Sequence, residues 1–226
     1  MLAIMKKEFK SYLLSPIGYI FIGLFLLMFS IFFIVTIFNY SVINFEYLFY
    51  NGATILTFVT PVLTMRMFSE ERKNGTEQLI LTSPRSITSV VLGKFCAAGL
   101  IVLITEIFTL IYFAILEYFG DPSLVVAIST LGGFFLLALS YISFGMFASS
   151  LTENQIIACV ITIGVFIAMW FLPGLNSALE PFSLINMFDK FPEGLISISE
   201  IITFVSFTAL FIVLTIIVLQ RRKSVK

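Results

Sequence analysis

Apolar residues run through the chain in six long blocks, at about 16–38, 52–68, 90–116, 124–150, 155–172 and 201–219, and polar residues collect between them. A helix needs roughly 17–25 apolar residues to cross the hydrocarbon of a bilayer, and each block has that length or more. The first block opens at Pro16, whose missing N–H suits a helix start, and it holds sixteen Leu, Ile, Val or Phe residues between Ile17 and Phe38. At about −0.3 to −0.6 kcal/mol each, these favour insertion by roughly 5–10 kcal/mol. The pattern predicts an all-α integral membrane protein: one membrane domain, residues 1–226, with six transmembrane helices.

Residues 1–14 are too polar to span. As a helix they place Leu2, Met5, Phe9, Tyr12 and Leu13 on one face with Lys6, Lys7 and Lys10 beside it, the pattern of a helix lying in the membrane interface. The simpler alternative is a basic flank that only sets orientation. The apolar run behind is too long for a removed signal peptide and lacks a small-residue cleavage site.

The second block carries Pro61, expected to bend it, and Thr54, Thr57, Thr60 and Thr64 on one side. Such threonines bond their own helix or a neighbour; on the sharper reading Thr54, Thr57 and Thr64 line a translocation path. In the fourth block Ser129, Gly132, Gly133, Ser140, Ser143 and Gly145 offer small surfaces for close helix contact. The linker 151–154 is so short that the fifth block must turn back antiparallel to the fourth. Residues 173–200 are broken by Pro173, Pro181 and Pro192 yet carry Phe182, Leu184, Ile185, Met187 and Phe188, so this segment is expected to dip into or lie on the membrane.

The one long polar interruption in the first half runs from Arg66 to Lys94. It contains five basic residues, three acids (Glu70, Glu71 and Glu77) and a small apolar cluster, Leu79-Ile80-Leu81. Arg66 and Glu70 are four apart and can pair if helix continues past the membrane. Asn74 and Glu77 have capping-box spacing, which predicts a short helix starting near Gly75 and stopped by Thr82, Ser83 and Pro84. So short a helix is unstable alone in water. Its apolar cluster must bury itself against the base of this protein or against a cytosolic partner.

Composition sharpens this picture. The chain is 59% hydrophobic and 12% charged with a mean hydropathy of +1.08, far outside the soluble range. Net charge is zero, so no bulk attraction to nucleic acid is expected. Twelve of the thirteen basic residues, all but Lys190, fall on the side shared by both termini and the loops after the second and fourth blocks. The positive-inside rule makes that side, with both termini, the cytoplasm; the expected location is the cell (cytoplasmic or inner) membrane. The absence of histidine removes Ser-His and Cys-His nucleophilic sites and HExxH zinc sites, and no GxxxxGK[ST] loop is present. Cys96 and Cys159 lie in apolar runs and read as small hydrophobes. Glu106 is the only acid deep in a block; at mid-membrane it costs a few kcal/mol unless paired or facing a wet cavity. It is either part of a translocation path or hydrogen-bonded across a helix interface.

Three stretches carry a family resemblance. TMRMFSEERKNGTEQLILTSPRS followed by VLGKF, GMFASSLTENQIIA (Gly145 to Ala158) and SPIGYIFIGLFLL (Ser15 to Leu27) resemble ABC-2-type permeases, the membrane subunits of ATP-driven exporters. The likeness is greatest to the branch of the gliding-motility and nitrous-oxide-reductase-maturation permeases, and it fades beyond Ala158. The resemblance implies a non-catalytic subunit with a coupling helix at Gly75 to Leu81, introduced by Glu70 and Glu71. Glu70, Glu71, Gly75, Thr76, Glu77, Leu79, Ile80 and Leu81 would then contact a separate ATPase, and Thr152, Glu153, Asn154 and Gln155 would form a smaller second contact. It further implies two ATPase subunits, a second permease subunit of the same or a similar kind, and ATP and Mg bound by the ATPase, with no cofactor in this chain and no metal site. An extracytoplasmic accessory subunit at residues 173–200 is an open possibility. Two other readings remain: a membrane scaffold that passes mechanical work to extracytoplasmic partners, and a stand-alone ion-driven carrier, against which the lone Glu106 and the lack of an internal repeat argue. An intramembrane enzyme has no support from paired carboxylates.

Overall fold

The computed structural model describes residues 1–40, 45–82, 85–119, 122–175, 183–195 and 197–225, and among these there are ten helices and no strand. The helix α1 (Leu2–Leu14) is followed by α2 (Pro16–Tyr40), α3 (Phe45–Thr64), the short α4 (Ser69–Lys73) and α5 (Glu77–Thr82), then α6 (Ile87–Phe119), α7 (Leu124–Leu151), α8 (Gln155–Leu175), the short α9 (Leu184–Phe188) and α10 (Ile198–Val225). Six of them, α2, α3, α6, α7, α8 and α10, are long and apolar enough to cross a membrane. Several extend past their apolar blocks, α6 at both ends and α3 backwards to Phe45, because hydrogen-bonded backbone continues into the polar interface at no cost. Pro181 and Phe182, and with them much of the proline-broken segment, lie outside the described residues.

The break between α1 and α2 is local chemistry. Ser15 precedes proline and is extended, at φ −94° and ψ 152°, where the proline ring disfavours helix. Pro16 then starts α2 without forfeiting a hydrogen bond.

In hydrocarbon, packing and cross-helix hydrogen bonds hold helices together, since lipid is as apolar as leucine. Helices α3 and α7 form the centre of the bundle and α2, α8 and α10 its outer flank. Toward one end the core is aromatic: Phe49 meets Phe134 edge-on at 5.0 Å and Phe45 meets Phe113 at 5.2 Å, and such pairs contribute about 0.5–1.5 kcal/mol each. Small polar side chains join helices, as the sequence of the fourth block suggests. Ser140 Oγ lies 3.1 Å from Thr208 Oγ1, linking α7 to α10, and Ser129 Oγ donates to Phe191 O at 2.6 Å. The segment after α8 packs onto the bundle, with Leu184, Ile185, Phe188 and Phe191 buried. There Tyr50 of α3 donates to Asp189 O at 2.9 Å.

The threonine row of α3 points inward. Thr57, Thr60 and Thr64 are fully buried, Thr57 Oγ1 lies 3.5 Å from the Tyr141 hydroxyl of α7, and Thr64 donates to Thr60 O at 3.2 Å. Gly145 of α7 lies so close to Thr64 that a Cβ there would sit 2.2 Å from its Oγ1. Glu106 is on α6, in a groove that opens sideways beside α7. Thr57 and Thr64 thus point into the bundle toward α7, Thr54 beside them is half-buried, and Glu106 lines the groove.

Candidate coupling elbow

At the opposite end from Asp189, the chain leaves α3 and reverses through α4 and α5 before entering α6. The reversal leaves the backbone amides of Phe68 and Ser69, at the start of α4, without helix partners. Ser149 of α7 supplies one: its Oγ accepts from both, at 3.0 and 3.1 Å, and donates to Met65 O at 3.0 Å. One hydroxyl thus closes the exit of α3 and the entry of α4 together.

The turn between α4 and α5 is made by Gly75, at φ +71°, a region costly for any residue with a Cβ. The short helix therefore begins at Glu77 instead of at Gly75. Asn74 closes α4 in place of capping α5, its amide bonding to Glu70 O and Gly75 N bonding to Arg72 O.

The acids of the elbow face the protein. Arg66 and Glu70 form the expected i,i+4 pair, with Arg66 Nε 2.6 Å from Glu70 Oε2 and a second contact from Nη2 to Oε1. Glu71 Oε1 is 2.8 Å from Lys94 Nζ, which also lies 3.1 Å from Glu8 Oε2 and sits over the Phe68 ring, 5.4 Å from its centroid. The Lys94 side chain is only 5% exposed. A single ammonium on α6 thereby joins α1 to α4. Tyr12 packs beside this cluster, and burial, with the charges of Glu8 and Glu71, pushes its hydroxyl well above the usual tyrosine range.

Two further arginines complete the frame. Arg72 Nε is 2.8 Å from Glu153 Oε1, and Arg72 Nη1 donates to Leu151 O at 3.2 Å. Arg222, near the end of α10, donates to Glu77 Oε1 at 3.0 Å and to Ser150 O at 2.6 Å. The α7–α8 turn is rigid in its own right: Asn154 N bonds to Thr152 Oγ1 at 3.1 Å, and Ile156 N to Asn154 Oδ1 at 2.9 Å, the side-chain cap that α8 requires.

Of the eight elbow positions the sequence singles out, Gly75, Thr76 and Leu79 are exposed, Leu79 at 73%. Glu70, Glu71 and Glu77 are turned inward to bases, and the side chains of Ile80 and Leu81 lie outside the described residues. The positions at 152–155 come within reach of the same elbow through Glu153, while Thr57, Thr64 and Glu106 are elsewhere in the bundle. Sequence reasoning passed over Glu8, Lys94, Ser149 and Arg222. Lys94 had a visible signal: an ammonium about one turn inside the third apolar block needs a partner.

This end of the molecule gathers α1, α4, α5, the α7–α8 turn and the tail of α10 around an exposed leucine. It can serve as a docking surface fixed to a membrane bundle. Among the described residues no group of His, Cys, Asp or Glu is arranged to hold a metal ion. Comparison with curated proteins gives no match. Residues 35–219 match the family model described as ABC-2 family transporter protein, which takes in five of the six membrane-crossing helices and the elbow and leaves α1 and most of α2 outside. The chain is a multi-pass membrane protein and belongs to the ABC-2 transporter family, as a permease.

Proposed function

We propose that this permease is the membrane subunit of an ATP-driven exporter and that α5 is the element through which a separate ATPase subunit acts on it. The observation that carries this reading is the exposure of Leu79 on an elbow whose acids Glu71 and Glu77 are tied inward: the apolar side chain is presented, and the frame behind it is held by ion pairs. Gly75, Thr76 and Leu79 touch the ATPase, while Glu70, Glu71 and Glu77 hold the shape of the surface. Thr152, Glu153, Asn154 and Gln155 form its second contact, joined to the first by Arg72. The distribution of basic residues supports a cytoplasmic elbow and cytoplasmic termini in the cell membrane. Two ATPase subunits, each using ATP and Mg, serve two permease subunits of the same or similar kind. Hydrolysis moves the elbow and, through α3 and α6, the opening between the two halves. The enclosed threonines of α3 favour a path between subunits over one through a single chain.

One observation favours a second reading, mechanical transmission to an extracytoplasmic partner. Helix α3 carries the elbow at one end and holds Asp189 O through Tyr50 near the other. The test is co-reconstitution with a candidate ATPase subunit. Leu79→Asp should lower ATPase stimulation at least tenfold and leave the permease folded, since Leu79 is 73% exposed. Undiminished stimulation would sink the coupling role of α5, and solute flux in the same vesicles separates export from mechanical work.

A further inference from the structure

Glu106 lies near the middle of α6, about 20 Å from its nearer end at 1.5 Å per residue. It is 8% exposed, and its Oε1 has no hydrogen-bond partner among the described residues. An unsatisfied carboxyl at this depth is costly whether charged or neutral. It forms the one polar side chain in an outward-opening groove of about 350 Å³ between α6 and α7. On each helix four lining positions follow i, i+3, i+4, i+7 spacing, from Leu103 to Leu110 on α6 and from Ile128 to Phe135 on α7. Two such parallel stripes make the seam into which the ridge of a third helix packs. Gly132, on the α7 wall, has nothing within 4 Å of where a Cβ would stand, so a backbone can approach closely there.

We infer that this groove receives a transmembrane helix of a separate membrane polypeptide, which presents a hydrogen-bond donor side chain to Glu106 at mid-bilayer. The helical spacing of both walls fits the ridge of a helix. Lipid headgroups, the donors in the bilayer itself, stay at the interface, and acyl chains carry no donor. A second copy meeting this face about a two-fold axis would set Glu106 against Glu106, which pair only where at least one carboxyl is protonated, whereas a donor side chain pairs with either form. The site is on the flank of the bundle and is independent of how the elbow is driven.

The experiment uses the full chain in proteoliposomes, labelled at Val125→Cys in a Cys96→Ala/Cys159→Ala background, and two dye-labelled Leu/Ala transmembrane peptides, one with a central Asn and one with a central Leu. Energy transfer should show the Asn peptide binding roughly three- to tenfold more tightly than the Leu peptide. Glu106→Gln, which keeps an acceptor, should retain that preference; Glu106→Leu should abolish it; Gly132→Leu should weaken both peptides by filling the open wall. Equal binding of the two peptides, or a preference that survives Glu106→Leu, overturns the proposal. So does Glu106-dependent energy transfer between labelled copies of the chain, which would make a second copy the occupant.

Discussion

Replacing Lys94 by methionine tests the frame behind the elbow, because three elements converge on one charge. With an effective dielectric constant of about 20, unit charges at the observed 2.8 and 3.1 Å attract by roughly 6 and 5 kcal/mol. Desolvation of three mostly buried groups offsets most of this, and their net worth is far smaller than the sum. Removal of one partner is a different matter. Lys94→Met leaves Glu8 and Glu71 facing each other, with side chains 16% and 19% exposed and no cation between them, and that situation costs on the order of 3–5 kcal/mol. By the scaling for chains of this size the melting temperature of the detergent-purified protein should fall by on the order of 10 °C. Adding Glu71→Gln to Lys94→Met should restore at least half of the loss, since it removes the repulsion and keeps the shape. Thermal unfolding of the wild type, both single variants and the double variant gives the coupling energy. If Lys94→Met changes stability by less than about 0.5 kcal/mol, or if the two substitutions are additive, the buried cluster does not hold α1 to the elbow.

Gly145→Ala should destabilise by about 1–3 kcal/mol, because its Cβ would stand 2.2 Å from Thr64 Oγ1 and α3 would have to move away from α7; Thr64→Ala in the same chain should recover part of the loss in melting temperature. Asp189 carries a pH dependence: burial first, then Glu193, raises its pKa from 3.8 to about 6. Its folded value lies above its unfolded one, so its contribution to stability is complete below the unfolded value of 3.8 and is lost as pH rises through about 6. Screening of this part-exposed group leaves an effect on the order of 1 kcal/mol, and melting curves between pH 4 and 7 should flatten in Asp189→Asn.

The six spans were legible because a membrane helix announces itself by length and hydropathy, and each apolar block became a helix. The Arg66–Glu70 pair was legible for a similar reason: it depends on spacing within a few residues. Gly75 shows where local reading fails. Capping-box spacing between Asn74 and Glu77 suggested a helix start, but a left-handed residue was needed to reverse direction, and glycine met that need first. The partners of Glu71, Glu77 and Arg72 lie from 23 to 145 residues away in sequence, at Lys94, Arg222 and Glu153. Nothing in a local pattern pairs them. Ser149 was invisible for the same reason, since a serine that bonds the backbone of a distant turn looks like any small residue in an apolar helix.

These long-range pairs alter what the charges of the polar interruption do. Read along the chain, they set topology and three of the acids face a partner. In the folded protein Glu70, Glu71 and Glu77 neutralise bases of this chain, so a partner approaching α5 meets Leu79 and the exposed turn at Gly75 and Thr76 in place of an acidic patch. The exposed charges beside that turn are Lys73 and, on the α7–α8 turn, Glu153, so any salt dependence of docking should trace to these two. Force applied to α5 also has more outlets than α3 and α6. Arg222 binds α5 to the end of α10, and Arg72 binds α4 to the α7–α8 turn, so the elbow cannot tilt without pulling on those elements or breaking an ion pair. The Arg222–Glu77 contact is the discriminating one, because it joins the elbow to a flank helix that touches the bundle mainly through α7. Were ATPase coupling to survive in Arg222→Gln with an unchanged dose response, the lever would run through α3 and α6 alone; a weakened response with an unchanged melting temperature would place α10 in the moving part.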